Sequence, residues 1–372
     1  MTKIIFTNAH IVDPIQKIDK IGTITIENKK ITEISTERKS FKNAKKNKIV
    51  DCKELILSPG FIDLKCHLRV PGDEHKENLS YASKAAAASG ITSLVCMPNT
   101  NPIIDNVSIV ELLQRKARKE SHVKIYSTAS ITKKLQGKEL SEFGLLSEAG
   151  ALAFTDATTS VHSSSVMYKA LKYASAFDIL LMQHPEEKEL SDGGSMTSGK
   201  LSTELGIKGI PIEAEVIQVE RDIRLAEMTD GRIHFLNIST GLALEAIKNA
   251  RKKGLKISCS TSPHYFSLNE KDIKKWRTFA KLSPPLRDEN NMQLVKEGIA
   301  SDIISCITSG HSPHDTDSKR LPFEIASSGS IGFECLLPLT LNIVKEKKLG
   351  IIKLINLLST MPAKLLNLKS GN

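Results

Sequence analysis

Aromatic residues are scarce in this chain, with one Trp and five Tyr among 372 residues and aromatics at 5%. Basic stretches therefore lack the interleaved rings on which single-stranded nucleic acid stacks, and no recognised nucleic-acid-binding motif accompanies them. No apolar run approaches ~18–20 residues, which excludes a transmembrane helix. The first residues, Met1 to Phe6, enter a strand-like pattern at once and lack the apolar stretch of a signal peptide. Six cysteines, Cys52, Cys66, Cys96, Cys259, Cys306 and Cys335, contain no C-x-x-C pair, so they read as buried reduced thiols of a cytoplasmic protein. Acidic residues are outnumbered, 42 against 52 Lys and Arg, for a net charge of +10. The basic runs at 37–48 and at Arg251-Lys252-Lys253 read as solvated faces or as a surface for an acidic protein partner.

What is present is ample for a large core: 40% hydrophobic residues in a chain long enough for one barrel-sized domain plus a small one. Residues 3–57 hold short alternating segments separated by turns, which predicts a small β domain over 1–57. After Pro59 the texture becomes strand then helix, repeated. Strands are expected at 61–67, 92–96, 123–128, 151–154, 179–183, 232–237, 255–260 and 303–307. Helices are expected at 79–89, 106–119, 139–149, 163–176, 211–229, 240–253 and 289–299. Eight such units predict a (β/α)8 barrel over 58–358 with a helical segment at 359–372, and a doubly wound open sheet is the other architecture with this alternation. Pro211 is placed in the first turn of its helix, with Glu213, Glu215, Glu220 and Arg221 decorating an apolar stripe. Pro338 predicts a kink or a late start for the helix at 334–346.

The richest stretch is 59–72, Pro-Gly-Phe-Ile-Asp-Leu-Lys-Cys-His-Leu-Arg-Val-Pro-Gly. Asp63, Lys65, His67 and Arg69 alternate, so in a strand they share one face. This stretch resembles the signature of the amidohydrolase superfamily, and of dihydroorotase in particular, which reads Pro-Gly-x-Ile-Asp-x-His-x-His-x-Arg. Further segments resemble that family in order: Met97-Pro98-Asn99-Thr100-Asn101, Phe154-Thr155-Asp156, Gly209-Ile210-Pro211-x-Glu213-Ala214-Glu215, Thr261-Ser262-Pro263-His264, Ser283-Pro284-Pro285-Leu286-Arg287, and His311-Ser312-Pro313-His314. The resemblance implies zinc chemistry on carbamoyl aspartate and dihydroorotate, in which a metal-activated hydroxide attacks the ring amide.

Carried over position by position, the resemblance also implies losses. Lys65 stands at the family's first metal-binding histidine, Ala157 at a carboxylate ligand, Asn237 at a histidine, and Gly310 at the Asp that serves as ligand and proton shuttle. His67 and His184 remain. An ammonium has no lone pair for a metal, and glycine has no side chain to move a proton. No metal cofactor and no catalytic residue are therefore expected, and His67 and His184 read as vestigial barrel histidines. Lys65 is expected to supply the missing positive charge, partnered by Asp63 or Asp156; Schiff-base or general-base chemistry at Lys65 is the other use of such a lysine. Arg69, Asn99 and His314 match the family's substrate-carboxylate cradle, while its Asn before Pro-Pro-Leu-Arg is Ser283 here. The expectation is a dihydroorotase homologue of pyrimidine biosynthesis without catalysis, acting as a structural or regulatory partner of aspartate transcarbamoylase or through self-association. One alternative is an active cyclic amidohydrolase with zinc on a rearranged set of His67, His184, His311 and Asp156. Another is a metal-free binder of a small carboxylate. Neither nucleic acid nor membrane is an expected partner.

Overall fold

The computed structural model describes residues 3–37, 47–274 and 276–368. Most of the basic run at 37–48 and the last residues of 359–372 lie outside these. Five strands, Lys3–Asp13, Ile18–Glu27, Lys30–Ser35, Asn47–Asp51 and Ile56–Leu57, build one small sheet around the first of them. The next eight-stranded sheet is parallel throughout and runs in chain order from Phe61–Cys66 to Cys306–Ile307. Its members are Ile91–Cys96, Lys124–Ala129, Ala151–Phe154, Leu180–Gln183, Arg232–Phe235 and Ile257–Thr261 between those two. Helices follow these strands, the strands lie in chain order and the first meets the eighth, so the open-sheet alternative falls and the fold is a (β/α)8 barrel.

The first and eighth strands meet without a ladder. His67 N donates to His311 O at 3.0 Å, and Ser309 N donates to Asp63 Oδ1 at 3.0 Å. Asp63 thus closes the barrel with its side chain. Every residue of Phe61–Cys66 is buried, as parallel strands covered on both faces must be. Helix starts are fixed by side-chain caps: Asn78, Asn106, Ser163, Thr240 and Asp288 each accept from a backbone N–H in the following turn. One apolar layer, including Leu94, Phe143, Phe154, Phe235 and Phe333, fills the space between strands and helices. A second fills the barrel itself with Leu64, Val95, Met97, Leu180, Met182 and Leu236, and Leu366 joins it.

Several expectations need correction. The helix expected at 139–149 begins only at Phe143, because Thr132 and Leu140 form a β-bridge. The helix containing Pro338 starts early, at Phe333, and runs on to Glu346 through the proline. The helix after Pro211 runs Glu213–Thr229, with Ile212 at its N-cap. Glu215 does not decorate a surface; it is buried, along with Asp222 on the same helix. Five of the cysteines are buried, but Cys335 is exposed. Arg251 donates to the carbonyls of Asp302 and Ile303, so that cation ties a helix end to a loop.

Candidate functional site

The C-terminal ends of the strands gather most of the singled-out residues, and the geometry there is crowded. Lys65 is buried at the mouth of the barrel, 4% exposed. Burial pulls its ammonium from the ordinary 10.5 down to about 8, opposed by the negative fields of Asp63 and Glu186. Of the two carboxylates expected beside it, Asp63 is therefore there and Asp156 is not. Asp156 accepts from Thr132 N at 2.9 Å and from Thr132 Oγ1 at 2.5 Å, and burial lifts it to about 6. Glu186, two residues beyond His184, supplies the second negative field. Asp63 itself accepts from Ser309 N, from Lys65 N at 3.3 Å and from the Ser309 hydroxyl. Among the described residues, no carboxylate oxygen lies within ion-pair distance of the Lys65 ammonium.

The two histidines are engaged by amide and hydroxyl groups. His67 Nδ1 donates to Asn99 Oδ1 at 2.9 Å. Burial, and then Arg69 and Lys65, hold its pKa well below the ordinary imidazole value, so the ring is neutral. His184 Nε2 lies 3.0 Å from Ser283 Oγ, and burial together with Lys65 lowers it to about 3. Its Nδ1 is buried with no hydrogen-bond partner. His311 is tied differently: Nε2 is 2.8 Å from Glu77 Oε2, Nδ1 accepts from Gly332 N at 3.2 Å, and the ring stacks on Phe333 at 3.7 Å. The four groups of the rearranged set, His67, His184, His311 and Asp156, are thus each held by different partners. Among the described residues no three His, Cys, Asp or Glu side chains come together at a spacing able to hold a metal ion.

Three of the substituted positions share a backbone feature. Ala157, Asn237 and Gly310 all have positive φ, at 59°, 54° and 66°. At Gly310 a Cβ would meet Ser262 Oγ at 3.0 Å and His264 Nδ1 at 3.2 Å. The neighbours have closed in on the space a side chain would need. Asn237 instead accepts from Thr308 Oγ1 at 3.2 Å.

Arg69 donates from Nε to Pro313 O at 3.0 Å and from Nη2 to Ser312 Oγ at 2.9 Å. His314 Nε2 lies 3.2 Å from Arg69 Nη2 and 2.9 Å from Ser328 O, while its Nδ1 is buried without a partner. Arg69 and His314 are thus brought together, and Asn99 sits apart on His67. The cavity at this mouth, bordered by Lys65, His67, Asn237 and Gly310, measures about 40 Å³. That is space for a water or so.

Sequence reasoning missed the buried carboxylate of Glu215. It accepts from the backbone N–H and the hydroxyl of both Ser239 and Thr240, and Arg287 Nη2 approaches it at 3.8 Å. Asp222 accepts from Gln183, Gln218 and Arg221. The signal was the spacing of Glu215, Gln218 and Asp222, which places three polar groups on one helix face beside Ala214 and Val219. This helix turns a polar line toward the strand ends.

Comparison with known proteins agrees with this architecture. An L-hydantoinase (dihydropyrimidinase) from Arthrobacter aurescens superposes with a TM-score of 0.86 at 20% identity, covering 100% of this chain and 84% of that one. A dihydropyrimidinase from Brevibacillus agri NCHU1002 gives a TM-score of 0.83 at 20% identity, covering 100% and 83%. The chain shares the barrel fold of these proteins. Its sequence narrows this. The family model described as Dihydro-orotase-like matches residues 54–242. Dihydroorotase of Acetivibrio thermocellus is 41% identical over 363 residues, 97% of this chain and 84% of that protein. Dihydroorotase of a Wolbachia from Drosophila simulans is 40% identical over 370 residues, 99% and 83%. The chain belongs to the dihydroorotase family.

Proposed function

We infer that this chain is a dihydroorotase homologue of pyrimidine biosynthesis that binds no zinc and does not turn over, and that serves as a structural or regulatory partner of aspartate transcarbamoylase. The observation that carries this reading is Lys65, a buried cation at the centre of the mouth. A dication beside it is repelled at close range. The residues present do not fit zinc, which takes about three or four N, O or S donors. Among the described residues no three His, Cys, Asp or Glu side chains gather around one point, so His67 Nε2 has no set of co-ligands, and Gly310 offers nothing that accepts a proton. The reading makes Lys65 the charge that answers Asp63 and Glu186.

The test is the zinc content of the purified protein after incubation with zinc, beside an assay of carbamoyl aspartate cyclisation. The expected result is neither stoichiometric zinc nor turnover, followed by co-purification with aspartate transcarbamoylase. Stoichiometric zinc with turnover overturns it.

A second reading rests on the unpartnered Nδ1 of His314 beside Arg69. Here the chain binds carbamoyl aspartate or dihydroorotate through Arg69, Asn99 and His314 without chemistry, after the mouth widens. Carbamoyl aspartate then raises Tm in the wild type but not in Arg69→Ala. An equal rise in both removes this reading.

A further inference from the structure

We propose that the opposite end of the barrel carries a binding site for a small organic anion with an apolar body. The cavity there measures about 860 Å³, within the ~300–1,000 Å³ range of small-molecule sites. It opens where the second, third and fourth barrel strands begin, under the ends of the helices Leu79–Ala88 and Val107–Glu120. This is the N-terminal face, remote from the mouth where Lys65 and its neighbours lie.

Two properties of the lining define the ligand. The first is charge: the cations Arg118 and Lys124 border the cavity beside His122, and among the described residues no Asp or Glu does. Arg118 and Lys124 are exposed and make no side-chain hydrogen bond or ion pair with another described residue. Both stand ready for an anion, and Arg118 in the last helical turn outweighs the partial negative charge of the helix end. His122 Nδ1 contacts Ser83 Oγ at 3.4 Å.

The second property is an apolar wall of Ile91, Ala117 and Leu152, which gives a hydrocarbon or aryl body somewhere to lie. Ser127 lies behind that wall. It is 2% exposed, and its hydroxyl is buried with no hydrogen-bond partner. Buried hydroxyls in folded proteins are nearly always paired. The Ser127 oxygen is covered from the cavity, so it is not a ligand contact, and decanoate, with no polar atom inward of its carboxylate, leaves it as it is.

The test uses decanoate as probe on the full chain, by isothermal titration, with 1-decanol as its uncharged counterpart. Saturable binding at one site is expected, weaker for decanol. Arg118→Ala/Lys124→Ala is expected to weaken decanoate at least about tenfold, close to 1.4 kcal/mol, with the fold retained because both residues are exposed. Three outcomes overturn the proposal: no saturable binding, equal affinity for decanol and decanoate, or an unchanged affinity in the double variant. Unfolding curves of the variant superimposing on wild type exclude misfolding as the cause of weakened binding.

Discussion

The two ends of the barrel are built on opposite principles. At the C-terminal end polar and charged groups crowd into a mouth of about 40 Å³, and most are held by neighbours, although the Nδ1 atoms of His184 and His314 have no partner. At the N-terminal end an opening of about 860 Å³ has unpaired cations at its rim and an unpaired hydroxyl behind its wall. In barrel enzymes the C-terminal end carries chemistry and the N-terminal end carries stability. Here the mouth is narrow and its side chains are largely bonded to one another. A fold that delivers side chains to a site does not dictate that they meet a substrate there.

The comparison is broken most severely by removing the acceptors that hold the mouth together. Glu215→Ala strands four donors and the buried Arg287, and should cost about 3–5 kcal/mol in urea unfolding. A loss below 1 kcal/mol would mean that the cluster is not structural. Asp63→Ala removes the side-chain closure between the first and eighth strands; about 2–4 kcal/mol is expected by the same measurement.

Lys65 sharpens the comparison through pH. Its ammonium loses its proton near pH 8 when folded and near 10.5 when unfolded. Between those values the unfolded chain holds more protons, so stability rises with pH across the window. Below pH 8 the full penalty of burying the charge applies. Lys65→Met should therefore be more stable than wild type at pH 7, by about 1–3 kcal/mol, and the advantage should shrink from pH 8 to 10.5. Thermal melts at pH 7, 8, 9 and 10 give the answer, and a constant difference would refute the shift. The smallest effect belongs to the other end: Arg118→Ala and Lys124→Ala should each change stability by no more than about 0.5 kcal/mol, since neither is paired. A larger loss would show that these cations support the fold.

Much of this was legible before any coordinates. Short apolar runs bounded by turns marked all eight barrel strands within a few residues, because a strand covered on both faces is written as a continuous apolar run. The eighth was the poorest, narrowed to Cys306–Ile307 where Asp63 replaces ladder bonds with a side chain. The substituted positions Lys65, Asn237 and Gly310 were also readable, since motif spacing fixes them along the chain, and all three border the same mouth.

The sequence by itself determined the alternation of strands and helices, the family, and which side-chain types stand at the strand ends. These follow from local periodicity and from motifs a few residues long. Partnership was decided only in three dimensions. Which carboxylate Lys65 faces, whether Gly310 has room for a side chain, and that Glu215 lies beneath Ser239, Thr240 and Arg287 all depend on groups tens to hundreds of residues apart. The N-terminal cavity belongs to the same class: Ile91, Arg118, Lys124 and Leu152 become one lining only when the barrel assembles, because packing brings helix ends and strand starts together there and leaves the space between them unfilled.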